Sequence, residues 1–66
     1  MENRIRSERE ARGWTQAMLA EHLAVSRQTV VALETGKYDP SLPLAFRISQ
    51  LFGKPIEGLF TPAQGR

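Results

Sequence analysis

Cysteine is absent from this 66-residue sequence. That excludes disulfides, thiolate nucleophiles and cysteine-ligated metal centres, and it fits the reducing cytoplasm in which the protein is expected to act. Histidine, tryptophan, tyrosine and aspartate occur once each, as His22, Trp14, Tyr38 and Asp39. A lone histidine without cysteine leaves no metal-ligand cluster. With no glycine-rich phosphate loop either, no acid, base and nucleophile can be assembled, so neither enzyme activity nor a cofactor is expected. No apolar run approaches the ~18 residues that span a bilayer, and the opening MENRIRSERE lacks an apolar signal region. A soluble, unprocessed chain with no membrane partner is therefore expected. Excess charge is scarce too: the net charge of +2 is too mild to identify a nucleic-acid binder, so the placement of Arg and Lys has to do so. A chain this short buries only about 60% of its unfolded surface, which allows one core and makes dimerisation helpful.

What is present is organised around residues 16–35, QAMLAEHLAVSRQTVVALET. The pattern predicts a helix over Gln16–Leu23, a turn at Ala24-Val25-Ser26 and a second helix over Arg27–Thr35. That is a helix-turn-helix, whose second helix can enter a DNA major groove. Ser26 is a natural N-cap, because its hydroxyl can accept a backbone N–H from the first turn. At about 100° per residue, Thr29, Val30 and Leu33 share an inward side while Arg27, Gln28, Val31, Ala32 and Thr35 share the other. The inward set suits a core. The outward set mixes long polar groups with a β-branched apolar residue.

Arg27 stands in the first turn, where the helix dipole favours carboxylates by up to about 1 kcal/mol, and no acidic residue accompanies it. Such a turn suits a polyanion: Arg pairs bidentately with guanine, Gln with adenine, and Val31 can touch a thymine methyl. Taken alone, the same residues also describe an ordinary exposed helix with one arginine set against the dipole.

Residues 2–12 are charge-rich and free of glycine and proline, which predicts a first helix stopping at Gly13. Its apolar stripe is thin, with Met1, Ile5 and Ala11. Arg9 shares the Ile5 side, and a buried arginine needs a carboxylate, for which Glu34 is the nominee. The alternative is a surface arginine in a mixed-charge helix. Thr15 is expected to cap the next helix, with Trp14 stapled onto Leu19 and Met18 leaving only half a capping box. Leu19, Ala20 and Leu23 make its inner stripe. Gln16 either directs its amide and backbone N–H to a phosphate or is simply exposed, and His22 is expected in solvent.

Beyond Thr35, Gly36 can supply a left-handed cap and Pro40 blocks helical continuation. Lys37 projects where a DNA backbone would pass, and is equally a favourable cation at a helix C-terminus. Tyr38 is expected to pack over that helix end. Ser41 caps a fourth helix running to about Phe52, with Leu44, Ala45, Ile48, Leu51 and Phe52 inward. Pro55 opens a short helix to Leu59 or Phe60. The apolar surplus of Leu42, Phe46, Ile56, Leu59 and Phe60 exceeds what one small core uses and predicts a dimer interface. The expected fold is all-α, five short helices in a single domain over residues 1–60, with a flexible tail over 61–66.

Together these stretches resemble the Cro/C1-type (XRE) helix-turn-helix family of bacterial and phage regulators. The resemblance spans nearly the whole chain, through IRSEREARGWTQ, LAEHLAVSRQTVVALETGKYDPSLPLAFRISQLFG and IEGLF. Its most specific part is VSRQT with the apolar residues after it, followed by E-x-G-K-Y-x-P-S. The resemblance implies a lambda-repressor-like fold with Arg27, Gln28, Val31 and Ala32 on bases. It implies phosphate contacts from Gln16, Ser26, Thr35 and Lys37, an internal Arg9–Glu34 ion pair, and a homodimer on near-palindromic double-stranded DNA. Three departures stand out. Ala24 occupies a turn position often held by Gly, which costs around 1 kcal/mol if φ is positive there. Glu8 and Arg12 are polar where more apolar packing is usual, which predicts a loosely held first helix. Met18 replaces an acidic residue, removing negative charge near the phosphates.

The reading that follows is a sequence-specific transcriptional regulator, a dimeric repressor in its simplest form. The competing reading is an interaction module, antitoxin-like or a controller component, whose apolar surface binds another protein such as a polymerase or a toxin.

Overall fold

The computed structural model describes residues 2–61. In chain order the elements are β1 (Glu2–Asn3), α1 (Ile5–Ala11), α2 (Gln16–Leu23), α3 (Arg27–Glu34), α4 (Leu42–Phe52), α5 (Ile56–Leu59) and β2 (Phe60–Thr61). Five helices are as expected; the two-residue antiparallel ladder is not. It pairs Glu2 with Thr61 and Asn3 with Phe60, joining the two ends of the described chain.

The ladder explains why α1 starts at Ile5 rather than near residue 2. Arg4 N–H donates to the Leu59 carbonyl at 2.8 Å, and Asn3 Oδ1 accepts the Ile5 N–H at 3.1 Å. These bonds satisfy amides that an earlier helix start would have left without partners. Thr61, expected in a tail, is the last residue of β2; residues 62–66 and Met1 lie outside the described residues.

Capping sets the other boundaries. Thr15, Ser26 and Ser41 each accept a backbone N–H from the first turn of α2, α3 and α4. Met18 does more than expected, since its Sδ lies 3.5 Å from the Thr15 N–H and completes the box with a weak sulfur acceptor. Between α2 and α3 the chain turns through Ala24 at φ 59°, ψ 43°, the left-handed region that glycine adopts at lower cost.

The core gathers Ile5, Leu19, Leu23, Val30, Leu33, Ile48, Phe52, Leu59 and Phe60, with small Ala20 and Ala45 among them. Ala11, expected inward, is exposed because α1 is short and presents only Ile5 and Arg9 to the interior. Leu51, placed on the core face, is half-buried. Trp14 packs on the edge of the core, 6.2 Å from the Phe52 ring and stacked on His22 at 4.3 Å between centroids. The exposed His22 imidazole thus lies on an indole.

The first helix is not loosely held. Arg12 Nη1 reaches Glu8 Oε1 at 2.8 Å, its Nη2 donates to the Phe52 carbonyl at 3.1 Å, and its guanidinium carbon lies 4.7 Å from the centre of the Phe52 ring. Lys54 Nζ meets Glu8 Oε2 at 2.7 Å. The polar residues that interrupt the apolar stripe therefore bind α1 to the end of α4 and cap its last carbonyl, that of Phe52.

Leu59 and Phe60, expected at a dimer interface, are 1% and 6% exposed and belong to this chain's own core. Phe60, in the ladder, and Leu59, at the end of α5, both join the buried cluster, so neither is available to a second copy. Ile56 is half-buried against the core. Leu42 and Phe46, one turn apart on α4, remain 63% and 51% exposed.

Candidate nucleic-acid interface

The helix-turn-helix puts one side of α3 in the core and the other in solvent. Val30 and Leu33 are fully buried, while Arg27, Gln28, Val31 and Thr35 are exposed. Ala32 is half-buried at the rim rather than on the crest of the outward face. Thr29, placed inward by the wheel, is likewise half-buried.

The outward groups differ in how free they are. The side chains of Arg27, Gln28 and Lys37 make no hydrogen bond or ion pair with the described residues. Ser26 is committed to the cap: its Oγ accepts the Thr29 N–H at 3.1 Å and lies 2.9 Å from Thr29 Oγ1. Thr35 Oγ1 returns its proton to the Val31 and Ala32 carbonyls at 3.0 and 3.2 Å. Gln16 Nε2 donates to Glu34 Oε1 at 3.2 Å, so its amide is partly engaged inside the protein. What remains open at the start of α2 and α3 is backbone N–H, the group that helix N-termini offer to phosphate.

Behind α3 lies the network that orients it. Arg9 Nε donates to Glu34 Oε2 at 2.6 Å and Nη2 to Glu34 Oε1 at 3.2 Å, while Nη1 donates to the Trp14 carbonyl at 2.8 Å. The hydrogen bond that the guanidinium donates to Glu34 is the main reason its pKa is raised above its ordinary value; burial opposes it. A second clamp was not foreseen: Asn3 Nδ2 donates to the Leu33 carbonyl at 2.8 Å, capping the end of α3 from β1. An asparagine just before a helix is a cap signal, but nothing in the sequence says that it reaches residue 33.

After α3 the chain turns at Gly36, φ 76°, and the next two residues, Lys37 and Tyr38, are both exposed. Tyr38 is 43% exposed and stands against the flank of α3, not over its end. Among the described residues no group of His, Asp and Glu is arranged to hold a metal, and no helix is long and apolar enough to cross a membrane. The arrangement offers hydrogen-bond donors, positive charge and one apolar side chain on a convex helix, which suits base edges and phosphates.

Comparison with known proteins agrees with this geometry. The helix-turn-helix family model matches residues 5–59. An uncharacterized HTH-type transcriptional regulator of Methanocaldococcus jannaschii is 52% identical over 60 residues, covering 91% of each chain. One from Archaeoglobus fulgidus is 50% identical over 60 residues, covering 91% of this chain and 86% of its own. The uncharacterized HTH-type regulator YgzD of Bacillus subtilis is 42% identical over 60 residues, covering 91% of each. The crystal structure of a hypothetical transcription factor from Neisseria aligns with TM-score 0.76 and 27% identity, over 91% of this chain and 67% of that one. The chain belongs to the Cro/C1-type helix-turn-helix family of DNA-binding transcriptional regulators.

Proposed function

We propose that the protein is a homodimeric cytoplasmic repressor that reads a near-palindromic operator through the major groove. One observation carries this reading: α3 presents Arg27 and Gln28 with no partner among the described residues, on a helix clamped by Arg9–Glu34 and Asn3. Unpaired long donors on a rigid helix are pre-organised for an acceptor surface, and the major groove supplies one. In this reading Arg27, Gln28, Val31 and Ala32 meet bases. The helix starts at Gln16 and Ser26, with Lys37 and Thr35, meet phosphates. Leu42 and Phe46 then supply an apolar patch for the second copy, to which half-buried Ile56 adds what it leaves exposed. Two copies carry their reading helices into successive grooves about 34 Å apart. Repression by occlusion requires nothing beyond occupancy of a promoter.

A second reading draws on the exposure of Leu42 and Phe46, which suits a protein partner such as a polymerase or a toxin equally well. Selection of bound duplexes from a random pool at physiological salt separates the two. The expected product is an inverted repeat with half-site centres one helical turn apart. A lone half-site removes the homodimer, and the absence of any enriched motif favours the protein partner.

A further inference from the structure

Along the rim of the outward face of α3 lies a shallow depression of about 250 Å³, lined by Gln28, Thr29, Ala32 and Tyr38. Its surface is almost entirely carbon, although the face beside it is furnished with hydrogen-bonding groups. Tyr38 forms one wall, and its ring makes no hydrogen bond or ring contact with the described residues. Gln28 and Ala32 belong to both the depression and the outward face, so the two surfaces are continuous.

The occupant follows from that continuity. A helix seated in a major groove meets phosphate oxygens, base-edge donors and acceptors, and one apolar group, the 5-methyl of a pyrimidine. An uncharged carbon-lined notch has nothing to offer a phosphate and leaves a base-edge donor unpaired. A methyl group loses nothing there and sheds its contact with water. We propose that Tyr38, with Ala32 beside it, is a specificity-determining residue that receives the 5-methyl group of one pyrimidine in each half-site. The inference rests on the major-groove reading above. Thymine supplies that methyl in unmodified DNA, and 5-methylcytosine presents the same group at the same place.

The test uses the full chain and the operator recovered by selection, with each thymine replaced in turn by uracil, which deletes the methyl alone. Burial of one methyl corresponds to about a fourfold change in affinity. The expected result is a loss of about that size at one position per half-site, abolished in Tyr38→Ala and retained in Tyr38→Phe, which keeps the ring. In a parallel series each cytosine is replaced by 5-methylcytosine. A Tyr38-dependent gain there, with no thymine responding to uracil, identifies methylcytosine as the source. An operator bound tightly but indifferent to both replacements overturns the proposal and leaves DNA reading intact. So does a methyl dependence that persists unchanged in Tyr38→Ala. Failure to enrich any operator sinks the underlying reading as well.

Discussion

Arg9 and Glu34 are 25 residues apart in sequence and 2.6 Å apart in space, and their contact ties α1 to the last residue of the outward-facing helix α3. Their side chains are 11% and 4% exposed, so the pair is largely desolvated. Removing one member leaves a charge buried without its partner. Either Arg9→Met or Glu34→Leu alone should therefore cost about 3–5 kcal/mol, a large share of a small domain's stability. Replacing both by apolar residues, Arg9→Met with Glu34→Leu, should recover much of the loss. Urea unfolding of the four proteins checks this, and strictly additive single losses would contradict coupling.

Ala24 holds a left-handed conformation at φ 59°. A side chain there costs about 1–2 kcal/mol, against roughly 0.5–1 kcal/mol of extra chain entropy lost when glycine is ordered. Ala24→Gly should accordingly raise stability by up to about 1 kcal/mol, read as a higher thermal midpoint. A lower midpoint would mean that the turn tolerates alanine without strain.

Arg27 and Lys37 should separate base reading from phosphate binding. Arg27→Ala is expected to cost about 1–3 kcal/mol on the selected operator and to relax preference at one position. Lys37→Ala should weaken all sequences alike and lower the slope of log affinity against log salt by about one. Titrations at several salt concentrations distinguish them; equal loss on every sequence for Arg27→Ala would reassign it to phosphate.

Glu8 is held below its ordinary value of 4.5, first by its hydrogen bond from Lys54 and then by that from Arg12. A depressed folded value means that the ionised carboxylate stabilises the fold above that ordinary pH. The contribution disappears as pH falls through the lower folded value. The stability gap between the wild type and Glu8→Gln should hold steady from neutrality to about pH 5 and close in more acid solution. A gap independent of pH would show that Glu8 contributes shape and not charge.

Much of this was legible locally. Thr15, Ser26 and Ser41 announce three helix starts because a cap acts within its own turn, and the wheel over residues 27–35 separates buried Val30 and Leu33 from exposed Arg27, Gln28 and Val31. Arg9 was legible as a buried cation by the same periodicity, since a charge on an inward face demands a partner. Apolar character alone misassigned Leu59 and Phe60, because it cannot say which core a residue enters.

The sequence by itself therefore determined helix number, caps and the two faces of α3, all of which depend on residues a turn or two apart. Only the tertiary structure decided what depends on distant segments meeting. The ladder of Glu2–Asn3 with Phe60–Thr61 draws Phe60 into the core, while Leu42 and Phe46 of the apolar surplus stay exposed. Asn3 reaches the Leu33 carbonyl, and Gln16 turns its amide to Glu34. Arg12 closes the end of α4, and Tyr38 comes to stand against Ala32. These contacts join segments that the local pattern does not relate, because groups that satisfy one another between elements carry no periodic trace along the chain.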